Sequence, residues 1–221
     1  MKMEAILLYF VVELVSPIVC STISDTTHRV VEKIQVDNGL KWGDWHSNEF
    51  CQDGSYATGF FLKVEKPQGL GDDTSVNAIC LLCYDSLTGN STGHICSGQG
   101  PFGKYTNYQT CHVSSEGPVE TFLVNFSLRV EPARGVFEDD TGVNNIKFGC
   151  HHLNDITGQP LNSTAKEIEG EGNNYGRYGD FSATCPNGSA ICGIQTRVEK
   201  FRGPFRDDAG LTDVDFSCCK F

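Results

Sequence analysis

The chain has 221 residues, with 17 basic and 28 acidic side chains and a formal charge of −11. This charge has the wrong sign for binding nucleic acid or an anionic membrane surface. Hydrophobic residues make up 39% of the chain, and 24 Gly against 2 Met indicate a folded, turn-rich protein, so the composition favours an all-β class.

The first 20 residues carry Lys2 and then an apolar run from Ala5 to Val12, a pattern typical of a secretory signal peptide. Cleavage after Cys20 or after Ser21 fits the small residues there, and a buried N-terminal helix is the weaker alternative. No later stretch approaches the ~18 apolar residues that a transmembrane helix needs. We expect residues 1–20 to be removed and residues 21–221 to be exported as a single domain, whose acidic charge would suit a basic secreted protein as a partner.

Cysteine and asparagine usage agrees with export. The 11 cysteines become ten without Cys20, and a dense, even set in an exported chain predicts disulfides. Four glycosylation sequons begin at Asn90, Asn125, Asn162 and Asn187. Asn125 lies within a predicted strand, so we expect it to be the least readily modified of the four.

The chain contains a threefold internal repeat of about 67 residues. The matching stretches are "FFLKVEKPQGLGDDTSVNAICLLC" (60–83), "FSLRVEPARGVFEDDTGVNNIKFGC" (126–150) and "IQTRVEKFRGPFRDDAGLTDVDFSC" (194–218). Upstream, an aromatic-Gly-Asp opening in the stretch 42–51 corresponds by sequence to the stretch 177–185. The repeats span approximately residues 41–83, 100–150 and 177–219.

Within each repeat the apolar residues alternate, which predicts strands with one buried face. Phe60, Leu62 and Val64, for example, alternate with Phe61 and Lys63. A repeat has room for about four strands, and one such sheet cannot bury its apolar face alone. Three sheets around a common axis can. The sequence therefore predicts an all-β, pseudo-threefold prism with one four-stranded sheet from each repeat.

The repeated "KVEKPQGLGDDTSVNAI" and "RVEPARGVFEDDTGVNNI", the "WGDW" at 42–45 and the terminal "FSCCK" resemble the vitelline membrane outer layer protein 1 family. The resemblance runs from about residue 28 to the C-terminus. It implies a secreted β-prism of three Greek-key sheets, found in egg coats and other secretions. It also implies an association with N-acetylchito-oligosaccharide synthesis, for which the family has no well-established catalytic site.

The repeat register predicts the disulfide pairing. It pairs Cys51 with Cys83 and Cys111 with Cys150, and the remaining cysteines of the first repeat give Cys80–Cys96. In the third repeat, register favours Cys185–Cys218 with Cys192–Cys219. Strand parity favours Cys185–Cys219 with Cys192–Cys218, and both arrangements stay open at this point. Cys80 and Cys83 form a CxxC motif, but in a strand they face opposite sides, so we expect separate disulfides and no redox site.

The acidic pairs Asp72-Asp73, Asp139-Asp140 and Asp207-Asp208 invite a metal or acid–base interpretation. Adjacent side chains of an extended segment point in opposite directions, and Asp also accepts backbone hydrogen bonds in turns. We therefore expect a structural role for these pairs. Glycosyl transfer needs two carboxylates in different environments, whereas a motif repeated by symmetry supplies similar ones. Glu65, Glu131 and Glu199 meet the same objection and are expected on a solvated surface.

Two further sets of side chains are weak candidates. His151-His152 lies in a predicted polar loop without a nearby third ligand, so we predict loop filling and no metal. Trp42, Trp45 and Phe181 could stack on sugars, but repeat-matched aromatics are more often core residues, and we predict core positions.

We expect a non-enzymatic, cofactor-free component of an egg coat or mucosal secretion that associates with extracellular glycoproteins. The alternatives are a lectin-like binder of N-acetylglucosamine-type glycans and a weak transferase acting on chito-oligosaccharides.

Overall fold

A computed structural model describes residues 29–67, 74–111, 120–131, 141–154, 166–200 and 210–221. These residues form the strands β1 (Val30–Ile34), β2 (Asp44–Trp45), β3 (Glu49–Phe50), β4 (Ser55–Val64), β5 (Val76–Asp85), β6 (Ser91–Cys96), β7 (Lys104–Tyr105), β8 (Gln109–Thr110), β9 (Thr121–Val130), β10 (Val143–His152), β11 (Lys166–Glu169), β12 (Arg177–Tyr178), β13 (Ser189–Val198) and β14 (Leu211–Lys220). Within the described ranges, no helix has the length and apolar character needed to cross a membrane.

The strands form three antiparallel sheets on one plan. Sheet I has the order β6-β5-β4-β7, with β8 also pairing with β4, and sheet II has the order β11-β10-β9-β12. Sheet III has the order β1-β14-β13-β2, with β3 also pairing with β13. In sheets I and II the fourth strand returns beside the first, which is the Greek-key order. The predicted all-β prism of three Greek-key sheets is confirmed.

The short opening segment of each repeat pairs with the sheet of the preceding repeat. β7 belongs to the second repeat by sequence but pairs with β4, and β12 belongs to the third but pairs with β9. β2 and β3 open the first repeat and pair with β13. The expectation that each repeat supplies a complete sheet is therefore wrong. Because edge strands are exchanged in this way, the ring of sheets closes on itself.

The three sheets enclose one apolar core. Phe60 of sheet I, Phe126 and Phe148 of sheet II and Phe216 of sheet III are all fully buried. Their ring centroids lie 4.8 Å apart for Phe60 and Phe148, 4.7 Å for Phe126 and Phe216, and 5.1 Å for Phe148 and Phe216. The inner faces of all three sheets thus meet, and each buries an apolar surface that it could not bury alone.

Five disulfides reinforce the prism: Cys51–Cys83, Cys80–Cys96, Cys111–Cys150, Cys185–Cys218 and Cys192–Cys219. Three of them join neighbouring sheets, because one partner follows an exchanged opening segment and the other lies in a central hairpin. The other two lie within sheets I and III. Of the two arrangements left open for the third repeat, the structure contains the one that the repeat register favours. The pairing that strand parity favoured is absent, because a bulge between Ile191 and Gly193 interrupts the alternation of side chains along β13.

One end of the prism is held by a buried polar network. Ser75, Gly142 and Gly210 precede β5, β10 and β14 and have φ of 53°, 67° and 55°. This left-handed conformation disfavours residues other than glycine. Ser75 is fully buried, and its Oγ donates a hydrogen bond to Asn144 Oδ1 at 2.9 Å and accepts one from Asn173 Nδ2 at 3.1 Å. These bonds connect sheet I to the sheet II chain and offset the backbone cost.

The repeated glutamates belong to the same end of the prism. The backbone N–H groups of Glu65, Glu131 and Glu199 donate to the carbonyls of the three left-handed residues. Glu131 is only 3% exposed, and its carboxylate accepts a hydrogen bond of 2.8 Å from Thr141 Oγ1. Glu65 is half-buried and accepts one of 2.7 Å from Thr74 Oγ1. The expectation of a solvated surface is therefore wrong for Glu65 and Glu131, whose side chains close the hairpin ends, and Glu199 is half-buried.

Candidate functional site

The acidic pairs singled out in the sequence, Asp72-Asp73, Asp139-Asp140 and Asp207-Asp208, lie outside the described residues. Their structural role remains a prediction. The strand ends that flank all three pairs are described, and those around the first two pairs belong to the polar network that contains Ser75 and Glu131.

His151 and His152 end β10 and are half-buried. His152 Nε2 lies 2.9 Å from Glu120 Oε2, and His152 Nδ1 accepts a hydrogen bond from the Asn154 N–H at 3.3 Å. Both ring nitrogens of His152 thus face partners from the chain. In the described part of the chain, no group of three or more His, Cys, Asp or Glu side chains is placed to hold a metal ion.

The prediction of core positions for Trp42, Trp45 and Phe181 is wrong. Both tryptophans are half-buried, and Phe181 is 39% exposed. Trp45 lies on the outer face of sheet III, with Arg197 Cζ 4.7 Å and Lys33 Nζ 5.7 Å from its ring centroid. Cations over an aromatic face are attracted by its quadrupole. The Trp45 ring is therefore occupied by the protein's own side chains.

Backbone register identifies the true counterparts of Trp45. Gly43, Gly103 and Gly176 have φ of 86°, 84° and 68°, and a side chain at any of them would collide with the backbone at the end of β13, β4 or β9. Two residues further on, Trp45 pairs with Arg197, Tyr105 with Lys63 and Tyr178 with Arg129. The predicted correspondence between 42–51 and 177–185 matched Gly43 with Gly179. The structure matches Gly43 with Gly176, so the prediction is out of register by three residues at this point.

The outer face of sheet I differs chemically from those of sheets II and III. Phe61, Ala78, Cys80 and Leu82 form a second buried apolar cluster there, separate from the central core. The repeat places Ser127, Asn145, Lys147 and Gly149 at the matching positions of sheet II, and Gln195, Asp213, Asp215 and Ser217 at those of sheet III. The pseudo-threefold symmetry of the backbone is therefore broken by side chains, and among the strands that the structure describes only those of sheet I have an apolar outer face.

Four rings gather on this face and are here called the aromatic cluster: Phe61, His94, Tyr105 and Tyr108. The Phe61 centroid lies 5.3 Å from that of His94, 5.5 Å from that of Tyr105 and 5.1 Å from that of Tyr108. Phe61 is buried, whereas Tyr105 is 54% and Tyr108 64% exposed. The two tyrosines thus have a rigid apolar support and retain exposed surface.

The aromatic cluster borders two adjoining hollows, together called cleft I. The larger, about 590 Å³, is lined by the segment from Gly103 to Asn107, by Val64–Lys66 and by Glu171. The smaller, about 460 Å³, lies over Phe61. Both share the segment Tyr105–Asn107. Hydrophobic and aromatic walls with a few convergent polar groups are typical of a ligand pocket.

Glu171 reaches cleft I from the chain of sheet II. Its carboxylate accepts hydrogen bonds from Asn107 Nδ2 at 3.1 and 3.2 Å and from Gln109 Nε2 at 3.3 Å. Its carbonyl oxygen accepts one from Lys66 Nζ at 3.0 Å. These contacts fix the loop between β7 and β8, which carries Tyr108, against the neighbouring sheet. Glu171 is thus a positioning residue of the cleft.

A carboxyl group with a perturbed pKa lies on sheet III. Burial, with help from the Asp215 carboxylate, raises the pKa of Asp213 to about 6, although a hydrogen bond from the Val214 N–H and the charges of Arg197 and Lys33 oppose the rise. Lys33 Nζ lies 2.7 Å from Asp215 Oδ2. These groups pair with one another beside Trp45, so they form a charged counterpart to the aromatic cluster of sheet I.

The fold and the site together define a class: a disulfide-reinforced β-prism with exchanged edge strands and an aromatic cleft on one face. Residues 32–221 match the model of the family described as "Vitelline membrane outer layer protein I (VOMI)", so the chain belongs to this family.

The chain is 42% identical over 193 residues to the vitelline membrane outer layer protein 1 homolog of Mus musculus, covering 86% of this chain and 85% of that protein. It is 38% identical over 188 residues to the homolog of Homo sapiens, covering 85% and 82%. Among solved structures, it is similar to a mannose-binding lectin from champedak, with a TM-score of 0.45, 15% identity and coverage of 88% of this chain and 98% of the lectin.

Sequence reasoning missed Tyr105, Tyr108 and Glu171. Tyr105 had a signal, because Gly103 of "FGKY" stands eight residues before Cys111, as Gly43 of "WGDW" stands eight residues before Cys51. Tyr108 lies outside this motif and had none. Glu171 had none, since its contact with Asn107 joins residues 64 positions apart.

Proposed function

We propose that this protein is exported and binds glycans of extracellular glycoproteins through cleft I, as a component of an egg coat or a mucosal secretion. Residues 1–20 act as its signal peptide and residues 21–221 as one domain. Five disulfides support this proposal, because such bridges persist in oxidising, extracellular compartments. The sequon residues Asn90 and Asn187 are exposed, and Asn162 lies outside the described residues.

The observation that carries glycan binding is the exposure of Tyr105 and Tyr108 over buried Phe61 at the edge of cleft I. A pyranose ring has apolar C–H faces and a polar rim, so it needs a flat apolar surface beside hydrogen-bonding groups. The tyrosines supply the surface, and Asn107, Lys104 and Thr106 line the cleft as polar groups. Tyrosines with an apolar body and a polar tip are favoured at such partly wet sites.

The groups that line cleft I favour glycans of the N-acetylglucosamine type as the first class to test. An N-acetylglucosamine-type chain presents pyranose faces, an acetamido methyl group and amide hydrogen-bonding groups. The apolar hollow over Phe61 and the amide of Asn107 are suited to these groups. Basic secreted proteins are a second class of partner, since the chain is acidic overall.

Glycan-array binding of the purified protein tests the proposal, followed by Tyr105→Ala and Tyr108→Ala. Each variant is expected to weaken binding about tenfold, equivalent to ~1.4 kcal/mol. Leu87→Ala is the matched control, because Leu87 is a highly exposed apolar residue outside cleft I, and it should bind as the unmodified protein does. Absence of binding to every glycan, or equal binding by all three variants, would contradict the proposal.

Glycosyl transfer is the second candidate, because Glu65 and Glu171 both line cleft I. Transfer requires one carboxyl group as acid and one carboxylate as nucleophile or base. Here the Glu65 carboxylate accepts hydrogen bonds from Thr74, and the Glu171 carboxylate accepts them from Asn107 and Gln109. Both hold the protein's own loops, so binding is the better supported function. Chromatography of products formed from a purified chito-oligosaccharide tests for transfer.

A further inference from the structure

The pseudo-threefold symmetry places one residue of each opening segment at an equivalent point between two sheets. The backbone N–H of Thr106 donates to Leu62 O, that of Gly179 to Leu128 O and that of His46 to Thr196 O. The acceptors are matched positions of β4, β9 and β13. Thr106, Gly179 and His46 are therefore equivalent, although their side chains differ greatly in size.

Each of these three points is faced by a residue from another connection of the chain, one that leads into β2, β7 or β12. The N–H groups of Asn173, Leu40 and Gly100 donate to matched carbonyls at the starts of β10, β14 and β5. Two residues before these donors stand Glu171, Asn38 and Gly98, respectively. Glu171 faces Thr106, Asn38 faces Gly179 and Gly98 faces His46.

The junction at His46 is filled. A side chain at Gly98 would overlap the His46 ring, so the ring rests directly on the glycine backbone. Ser97 Oγ donates to Ser47 O at 2.7 Å, and Thr196 Oγ1 donates to Gly98 O at 2.9 Å, which ties the two segments together. The His46 ring therefore fills the space beside Gly98 at this junction.

The junctions at Thr106 and Gly179 each border a hollow and are here called open, although the Asn38 side chain packs directly against Gly179. The first contains cleft I. The second contains a hollow of about 630 Å³, lined by Asn38, Leu40, Val130 and the segment Gly176–Gly179. A neighbouring hollow of about 420 Å³ shares Asn38 and Gly179 and extends to Phe181. These two hollows are here called cleft II. The larger corresponds by symmetry to the larger hollow of cleft I, whereas the smaller lies against the segment Gln35–Asn38 and has no counterpart of Phe61 or His94 in its lining.

Exposed aromatic residues follow the same division. Two positions beyond Thr106, Gly179 and His46 stand Tyr108, Phe181 and Asn48. Tyr108 and Phe181 are exposed rings at the two open junctions, whereas the filled junction has an asparagine. Cleft II also has Arg177 in its lining where cleft I has Lys104. A hollow, an exposed ring and a basic side chain thus recur in cleft II, whereas the apolar support of Phe61 does not, because Ser127 takes its place.

Cleft II also differs from cleft I in the surroundings of its tyrosine, which affects affinity. The ring of Tyr178 has Arg129 Cζ 5.3 Å and Lys147 Nζ 4.5 Å from its centroid, and its hydroxyl donates to Glu169 Oε1 at 2.8 Å. Tyr105 instead contacts Phe61 and keeps more than half of its surface exposed. A sugar in cleft II has Phe181 as its main apolar surface, so cleft II should bind more weakly.

We propose that the chain binds two saccharide chains at once, in cleft I and cleft II, and so cross-links glycoproteins as a monomer. This inference rests on the proposed function of cleft I. The two clefts lie at different junctions of the prism, cleft I where the sheet II chain meets sheet I and cleft II where the chain between β1 and β2 meets sheet II. Each cleft is proposed to take its own saccharide chain, so that two chains are bridged.

Calorimetric titration with N-acetylchitotriose and, separately, with mannotriose tests the stoichiometry. Two equivalents per chain are expected with at least one of the probes. The double variant Asn38→Gly with Gly179→His copies the filled junction into cleft II, and it should leave one equivalent with the affinity of cleft I. Tyr108→Ala should instead weaken the tighter equivalent about tenfold. Circular dichroism melting of each variant shows that the fold is retained.

Bridging has its own readout, which is the aggregation of beads coated with the probe that binds. The unmodified protein should aggregate the beads, and the double variant should coat them without aggregation. A single equivalent that the double variant leaves unchanged overturns the inference and leaves the proposed function intact. If neither probe binds, the inference is overturned, and the glycan array decides the proposed function separately.

Discussion

Replacing Ser75 separates two opposing contributions to stability. Ser75→Ala removes the hydrogen bonds to Asn144 and Asn173 while the backbone stays near φ 53°. An unsatisfied buried polar group costs about 1–3 kcal/mol, so we expect a loss of ~2 kcal/mol in the free energy of unfolding. Ser75→Gly removes the same bonds but relieves a left-handed backbone worth about 1–2 kcal/mol, part of which is offset by greater freedom of the unfolded chain. The glycine variant should therefore be about 1 kcal/mol more stable than the alanine variant.

Guanidinium unfolding with the disulfides intact measures these differences as shifts of the transition midpoint at constant slope. Ser86→Ala is the control, because its hydroxyl bonds to Gly54 O in an exposed turn and should change stability by less than about 0.5 kcal/mol. Equal stability of the Ala and Gly variants would refute the backbone contribution. An Ala variant as stable as the unmodified protein would refute the hydrogen-bond contribution.

Two further outcomes are expected. The raised pKa of Asp213, about 6 against 3.8, means that the folded state binds an extra proton between these values, so the free energy of unfolding should fall as pH rises from about 4 to about 6. Asp213→Asn should remove that part of the fall. The midpoint of denaturant unfolding, measured across this pH range, checks it. A variant whose midpoint falls with pH as steeply as that of the unmodified protein would contradict the prediction. In secreted material, Asn90 and Asn187 should carry glycans and Asn125 should not, because Asn125 Nδ2 is held by Thr184 Oγ1 at 3.1 Å in β9. Mass spectrometry after enzymatic deglycosylation checks this, and occupancy at Asn125 would contradict it.

The strands of the sheets were predictable because the sequence pattern that defines them is local and occurs in all three repeats. Alternation such as Phe60-Leu62-Val64 identifies the buried face directly, and the matched cysteines identify neighbouring segments. The exchange of β7 and β12 between sheets was not predictable, since an alternating pattern defines a face and leaves the partner strand undefined. Backbone hydrogen bonds decide the partner, and they leave no trace in composition.

The site was predictable only in part, for a related reason. Internal symmetry argues for equal environments, and this argument directed attention to motifs present in all three repeats. The clefts depend on positions where the repeats differ, such as Phe61 against Ser127, or His46 against Gly179. Such differences look like ordinary divergence until the structure places Glu171 beside Asn107 and Gly98 beneath His46.

The closure of sheet III has a consequence for biosynthesis. Sheets I and II each arise from a continuous stretch of chain, but β1, β2 and β3 pair with β13 and β14, and Val30 lies opposite Cys219. During translation the first strands emerge long before their partners exist, and pairing between such distant segments is slow. The apolar inner faces therefore stay open until the last hairpin is made. The disulfides Cys185–Cys218 and Cys192–Cys219 cannot form earlier either, because Cys218 and Cys219 both lie in β14.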